Sequence, residues 1–297
     1  MQSSTLKGIF WIVICMFAAA CADGTMKNLR DEFHPFQLSF FRGFVVFLVL
    51  LVPWFLYRRK TAEREFEKVG AKNYILLGGL KLVSSFSYII ALNYLPLPVI
   101  GAIILVTTPL SMFLAVLILK ETLKLHQIVG VVGGLLGVLV VIKPGFVEVT
   151  PYIMIPFITV VVDAFYKVVV KSLSVKVRIF DVAFYPLIFM SIISLPFAMM
   201  HWEMPSLDQA ILVIGFASCI SIYLLAMVKA YSYADLSALA PFDFLYLLFL
   251  SIIAYLFYDE LIDIWTALGG LIIVMSGWYI ICKEKGKHVP QEADIGH

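Results

Sequence analysis

The sequence predicts an all-α integral membrane protein with ten transmembrane helices, arranged as two inverted repeats of five. Three observations lead to this prediction: an apolar composition, ten apolar runs of membrane-spanning length, and an internal repeat. Of the 297 residues, 62% are hydrophobic and 14% are charged, and the mean hydropathy is +0.99. Soluble domains are nearer one-quarter charged. The lipid bilayer is therefore the expected surroundings of nearly the whole chain.

Ten apolar runs are bounded by charges, proline or glycine, and a membrane-spanning helix needs about 20 such residues. The runs cover residues 8–28, 37–57, 73–94, 98–119, 125–142, 151–171, 180–200, 208–231, 234–257 and 263–282. The polar remainder, 283–297, lacks apolar periodicity and is predicted to be a disordered cytoplasmic tail.

The loop cations are unevenly divided between the two sides of this arrangement. Fifteen fall on the side of the amino terminus and three (Lys27, Arg30 and Lys143) fall on the other. Cytoplasmic loops carry the excess of Lys and Arg. Both termini are therefore predicted to be cytoplasmic, in a cytoplasmic (inner) membrane.

The two halves of the chain share a motif, Asp-x-x-x-Lys, in the first and sixth runs. Asp23 and Lys27 recur 140 positions later as Asp163 and Lys167. At an offset of 139, four further matches place Ala91, Tyr94, Glu121 and Gly130 on Ala230, Tyr233, Glu260 and Gly269. Because five helices are an odd number, a second copy enters the membrane from the opposite side. We expect repeats over 1–142 and 143–282, with a binding site between them near the midplane.

Six ionisable residues lie well inside the apolar runs, away from their ends, where insertion of a charge costs about 2.5–3.5 kcal/mol or more. They are Asp23, Arg42, Lys81, Asp163, Lys167 and Asp243. Such residues are expected to face a cavity or a partner. The spacing of the two Asp-x-x-x-Lys motifs leaves two readings open: ion pairs formed within one helix, or carboxylates that line the interface between the halves.

Arg42 and Lys81 have no carboxylate at helical spacing. Their counter-charge must come from another helix, with Asp23 and Asp243 as candidates, or from a bound substrate. Arg42 is favoured for the substrate because its guanidinium remains charged and binds carboxylate or phosphate through two hydrogen bonds.

Asp243 lies beside Pro241, Phe242 and Tyr246 in a helix that the proline is expected to break. The carboxylate could carry a coupling proton, bind a cationic substrate group, or belong to a polar kink. Phe242 and Tyr246 could stack on a flat or cationic group.

Several classes of site are absent from the sequence. It has no P-loop, dinucleotide fingerprint or HExxH motif, and its four cysteines lie apart in apolar runs. We expect no cofactor, no metal and no nucleic acid. The alternative considered is a membrane-embedded enzyme acting on a lipid-linked substrate, but the five scattered histidines argue against it.

Motifs along the whole chain resemble the drug/metabolite transporter superfamily, in particular its EamA type. They are Arg42 in the second run, Thr108-Pro109-Leu110 followed by Glu121, glycine-rich fifth and tenth runs, and Ala240-Pro241-Phe242 with Glu260. The resemblance implies a secondary transporter, not an enzyme, that works by alternating access. Embedded charges of both signs favour a zwitterionic or multiply charged metabolite, such as an amino acid or an adenosyl compound like S-adenosylmethionine, as cargo. The direction of transport, coupling to protons and the oligomeric state stay open.

Overall fold

The computed structural model describes residues 2–30, 32–60, 70–95, 97–142, 151–258 and 264–285, and all regular structure in these ranges is helical. The helices are α1 (Gln2–Leu29), α2 (Pro35–Lys60), α3 (Ala71–Tyr94), α4 (Leu97–Leu105), α5 (Thr107–Leu119), α6 (Leu125–Ile142), α7 (Ile155–Ser174), α8 (Ile179–Met199), α9 (Leu207–Tyr233), α10 (Leu236–Leu239), α11 (Leu245–Tyr258) and α12 (Ile264–Lys285). Two 3-10 segments cover Pro151–Met154 and Ala240–Phe244. Glu260 and most of the predicted tail, 286–297, lie outside the described residues.

Six helical stretches are long and apolar enough to cross a membrane. They are Thr5–Leu29, Pro35–Tyr57, Ala71–Tyr94, Ile179–Met199, Leu207–Tyr233 and Leu236–Phe257. Three shorter apolar stretches cover Ile103–Leu119, Leu125–Val140 and Ala267–Lys283. The remaining long helix, α7, carries three charged residues, Asp163, Lys167 and Lys171, within its 20 residues.

Two helical segments are broken near their middle. Between α4 and α5 the break falls at Val106, whose N–H bonds to Ile103 O at 3.0 Å in a tighter turn. Between α10 and α11 the chain forms the 3-10 segment Ala240–Phe244, which is entirely buried. Pro241 predicts this second break because its ring removes an N–H donor. The break at Val106 was not predicted; Pro109 follows it by three residues and leaves a carbonyl one turn earlier without its donor.

Helices from the first half of the chain pack mainly against helices from the second half. The most extensive contacts join α1 with α9, α6 with α12, α2 with α8, and α3 with α7, followed by α3 with α8, α1 with α11 and α5 with α7. The contact between α6 and α12 depends on glycine: a Cβ at Gly137 would lie 2.8 Å from the backbone oxygen of Gly269. Without a hydrophobic drive between helices in lipid, such close backbone approach supplies the packing energy.

The beginning of α1 and the end of α12 lie at the same end of the bundle. A Cβ at Gly8 would lie 2.9 Å from Ala234, just after α9. Glu121, just before α6, accepts hydrogen bonds from the start of α10, and Gly130 near the start of α6 faces Ile280 near the end of α12. We refer to this as the terminal end of the bundle.

Candidate functional site

A cavity of about 830 Å³, including its opening, lies between the helices. Its lining comes from α1, α2, α3, α4, α5, α7, α9, the second 3-10 segment and α11. The lining, shared between helices of both halves of the chain, makes this cavity the candidate site.

All six embedded charges that the sequence singles out line this one cavity. They are three carboxylates and three cations: Asp23, Asp163, Asp243, Arg42, Lys81 and Lys167. Tyr246 lines it as well. The helices that carry these residues come from both halves of the chain, so the cavity sits at the interface between them.

Phe242 does not line the cavity. Its ring is buried and faces α12, where a Cβ at Gly277 would lie 3.4 Å from Phe242 Cε1. Consecutive residues of a 3-10 helix point about 120° apart, so Asp243 can face the cavity while its neighbour faces away. The structure thus places Phe242 outside the lining of this cavity and Tyr246 within it.

Four of the charges form ion pairs that join different helices. Lys81 Nζ of α3 lies 3.2 Å from Asp163 Oδ1 of α7, and Lys167 of α7 pairs with Asp243 of the 3-10 segment. Thr108 Oγ1 also donates to Asp243 Oδ2 at 3.1 Å. We call Lys81, Asp163, Lys167 and Asp243 the paired cluster.

These partners decide between the two readings left open for Asp163 and Lys167, and they correct the expected partner of Lys81. Asp163 and Lys167 share one face of α7, as their spacing requires, but each pairs with a different helix instead of with the other. Lys81 pairs with Asp163, whereas Asp23 and Asp243 had been the candidates. Spacing along one helix cannot indicate which neighbouring helix brings a closer opposite charge.

The other two charges, Asp23 and Arg42, are not neutralised in this way, and we call them the open cluster. Asp23 Oδ2 accepts a hydrogen bond of 2.7 Å from the Tyr246 hydroxyl. Among the described residues, Asp23 forms no ion pair with Arg42 or with another cation. The guanidinium of Arg42 forms no hydrogen bond within the same part of the chain, and its Nε is buried.

Uncharged residues of the lining were largely missed from the sequence. They include Thr107, Thr108, Thr159, Ser84, Ile220 and Tyr223. The internal repeat could have found some of them, because Ile220 and Tyr223 follow Lys81 and Ser84 by 139 positions. The aromatic rings add flat surfaces, and Lys81 Nζ lies 5.0 Å from the centre of the Tyr166 ring.

A charged central cavity in a bundle of apolar helices is typical of multi-pass membrane transporters. Comparison with known families gives the same class. The sequence model of the EamA-like transporter family matches residues 6–143 and, a second time, residues 150–282. The chain therefore belongs to the EamA-like transporter family and is a multi-pass membrane protein, which confirms the resemblance seen in the motifs.

Curated relatives of the chain are transporters. It is 29% identical over 280 residues to the S-adenosylmethionine uptake transporter of Rickettsia prowazekii, with 94% of each chain covered. A protein of the same name from Rickettsia felis is 29% identical over 281 residues, again with 94% of each chain covered. The riboflavin transporter of Vibrio cholerae is 23% identical over 245 residues, with 80% of each covered.

A solved crystal structure shares the fold. It matches with a TM-score of 0.76, over 94% of this chain and 98% of the other, at 16% sequence identity. At this identity the likeness applies to the fold alone.

Proposed function

We propose that this protein is a secondary transporter that carries a zwitterionic metabolite, of the class of S-adenosylmethionine, across the cytoplasmic membrane by alternating access. The observation that carries the proposal is the central cavity, in which the Asp23 carboxylate and the Arg42 guanidinium lack ionic partners among the described residues. A zwitterion offers one group for each. The Rickettsia relatives, named as S-adenosylmethionine transporters and matched over 94% of the chain, support this choice of cargo.

Alternating access is proposed to arise from two inverted repeats, residues 1–142 and 143–282, with ten membrane spans in all. The two matches of one family model support this division. The packing also supports this division, because equivalent helices of the two halves form equivalent contacts. Helix α1 packs on α9, and their counterparts in the other half, α7 and α3, pack on each other. Likewise, α1 packs on α11, and their counterparts α7 and α5 pack on each other. Rocking of one repeat against the other around a fixed site is a common transport mechanism.

Contacts at the terminal end of the bundle would serve as a gate in this scheme. The Glu121 carboxylate accepts hydrogen bonds from Leu236 N at 3.1 Å and Ser237 N at 3.0 Å. Lys171 Nζ donates to Tyr231 O at 2.9 Å and to Ala234 O at 2.7 Å. Together they hold the turn between α9 and α10 against α5 and α7. We propose that this end is cytoplasmic, as the excess of loop cations predicts, and that these contacts separate when it opens.

We propose that Asp243 carries the coupling proton. Its carboxylate pairs with Lys167 and accepts a hydrogen bond from Thr108. Protonation of Asp243 would release Lys167 and so change the charge of the cavity. Asp243→Asn, which keeps an acceptor for Thr108, should then remove the response of uptake to an imposed pH gradient. A pH response equal to wild type would exclude Asp243 as the coupling group and favour exchange or a plain gradient of cargo.

Reconstitution of the full-length protein into liposomes tests the proposal as a whole. Labelled S-adenosylmethionine should accumulate inside, exchange with unlabelled cargo, and be recovered chemically unchanged. Protein-free liposomes provide the background. Recovery of a chemically altered compound would favour the membrane-enzyme alternative, and the absence of both uptake and exchange would contradict the proposed function.

Labelling of single cysteines in intact cells tests the topology separately. Cysteines placed near Gly8 and near Cys282 should both be protected from a reagent that cannot cross the membrane. Labelling of one and protection of the other would contradict an even number of spans. Labelling of both would reverse the proposed orientation.

A further inference from the structure

The two halves of the cavity differ at one pair of equivalent positions. Lys81 in α3 faces Asp163 in α7, and their ion pair joins the two helices. The residue 139 positions after Lys81 is Ile220 in α9, and the residue 140 positions before Asp163 is Asp23 in α1. Helix α9 packs on α1 just as α3 packs on α7. One half therefore has a lysine for its aspartate, and the other half has an isoleucine.

Ile220 is part of the cavity wall. It lines the main cavity with Asp23, and it also lines a smaller adjoining pocket. Lys81 lines the same two spaces. The repeat predicts that Lys81 and Ile220 occupy equivalent positions, and both side chains line the same two spaces.

The aspartate that lacks a lysine retains one neutral partner. Within the described ranges, Asp23 accepts a hydrogen bond from Tyr246 and has no cation at ion-pair distance. A carboxylate removed from water is expensive to keep charged without a counter-charge. The hydroxyl of Tyr246 offsets only part of this cost, so the site favours an arriving cation.

Arg42 provides a second and independent observation. Its guanidinium lines both spaces, its Nε is buried, and it forms no hydrogen bond with the part of the chain that the structure describes. Arginine binds carboxylates through two parallel hydrogen bonds. The cavity thus offers a cation receptor and an anion receptor together, each without an ionic partner among the described residues.

We infer that the α-ammonium group of the cargo binds Asp23, in the same way that the ammonium group of Lys81 binds Asp163. The α-carboxylate of the cargo binds Arg42. The cargo class is then compounds with a free α-amino-acid end. This inference rests on the proposed function, since it assumes transport through this cavity. It makes Ile220 a specificity-determining residue. An uncharged side chain at this position keeps Asp23 available for the ammonium group of the cargo, whereas a lysine would itself pair with Asp23.

The experiment is to place a lysine at position 220. In Ile220→Lys, the tethered ammonium should compete with that of the cargo for Asp23. Uptake of labelled S-adenosylmethionine into liposomes should fall by about 10- to 100-fold, the range for one hydrogen bond to a charged group. Ile220→Met is the matched control, because it has a similar unbranched length without the charge; its loss of uptake should be at least about tenfold smaller than that of Ile220→Lys. Equal losses in both variants would show a steric effect and overturn the inference.

A competition series on the wild-type protein needs no variant to fold. S-adenosylhomocysteine, which keeps the α-amino-acid end, should compete with labelled S-adenosylmethionine. 5′-Methylthioadenosine, which lacks that end, should compete at least about tenfold less well. In Asp23→Asn the difference between the two competitors should shrink. Equal competition by both in the wild type would overturn the inference.

The outcomes separate the inference from the proposed function. Transport of S-adenosylmethionine by the wild type together with normal uptake by Ile220→Lys would overturn the inference and leave the proposed function intact. The absence of wild-type transport, together with no shift in melting temperature on adding S-adenosylhomocysteine, would overturn both.

Discussion

The paired and open clusters contain the same kinds of residue in the same cavity, yet they differ in how their charges are neutralised. In the paired cluster, Lys81 and Lys167 each reach a carboxylate on another segment. In the open cluster, Asp23 has a tyrosine hydroxyl and Arg42 has no hydrogen-bond partner among the described residues. The difference teaches that an embedded charge is not by itself a sign of function. Its partner, or lack of one, separates a charge that joins helices from a charge available to cargo.

The largest expected effect is on stability, from breaking the paired cluster. Lys81→Met should destabilise the protein by about 3–5 kcal/mol, because it leaves Asp163 charged without a partner in a poorly hydrated site. The side chain of Asp163 is 18% exposed to the cavity, which favours the lower end of that range. The loss of stability is measured by thermal unfolding of the variant and the wild type in detergent, and by the fraction of folded protein recovered after reconstitution.

The double variant Lys81→Met with Asp163→Asn is the control for that prediction. Removing both charges should recover most of the lost stability, since the cost comes from one unpaired charge. If the double variant is as unstable as the sum of the two single variants, the two residues are not coupled as the geometry indicates.

Arg42→Ala should affect transport more than stability. Because the guanidinium forms no hydrogen bond with the described part of the protein, we expect a smaller drop in melting temperature than in Lys81→Met. Uptake at low cargo concentration should fall by about 10- to 100-fold with the loss of a charged contact to cargo. Arg42→Lys should recover only part of the loss, because lysine offers a point charge without the paired donors. Wild-type uptake by Arg42→Ala would move the site to the Asp-x-x-x-Lys helices.

Tyr246→Phe should have a smaller effect on the same cluster. It removes the 2.7 Å hydrogen bond to Asp23 but keeps the ring. A hydrogen bond to a charged group contributes about 1.5–3 kcal/mol, and the cargo's own cation offsets part of this loss in the bound state. We expect a several-fold change in the KM for uptake, with Tyr166→Phe, which lines the same cavity, as the control. Equal changes in both would argue against a specific role for Tyr246.

The smallest expected effect lies outside the cavity, where two histidine side chains stack on each other. His34, in the loop between α1 and α2, stacks on His201 with ring centres 4.1 Å apart. Burial lowers the pKa of His34, and His201 lowers it further, while Glu203 acts in the opposite direction. The folded protein thus binds this proton less readily than the unfolded chain, so stability is retained above about pH 6.5, the usual pKa of histidine, and declines as the pH falls below it.

His34→Asn should remove this acid sensitivity. Melting temperatures measured from pH 7.5 to pH 5 should fall less steeply in the variant than in the wild type. Parallel curves would show that the histidine pair does not contribute to the pH dependence of stability.

The sequence alone predicted which residues meet in the cavity better than it predicted how they pair. The cost of inserting a charge into lipid is a property of each residue, so Arg42, Lys81 and Asp243 could be assigned to one cavity before any fold was known. Pairing depends on packing between helices, and nothing in α3 or α7 alone indicates that Lys81 reaches Asp163. The direction of Phe242 also depends on a local change from α to 3-10 geometry. Pro241 marks where that change occurs but does not reveal which way each side chain then points.

The six charges that line the cavity also have an electrical consequence. Counting each carboxylate as −1 and each amine or guanidinium as +1, three of each sum to zero. In a cycle that moves no coupled proton, the empty protein then carries no net side-chain charge through the membrane field, and the charge moved in a loaded cycle is that of the cargo. A membrane potential is worth about 2.3 kcal/mol per elementary charge per 100 mV. Voltage would therefore act on a cargo with a net positive charge and leave a neutral zwitterion unaffected.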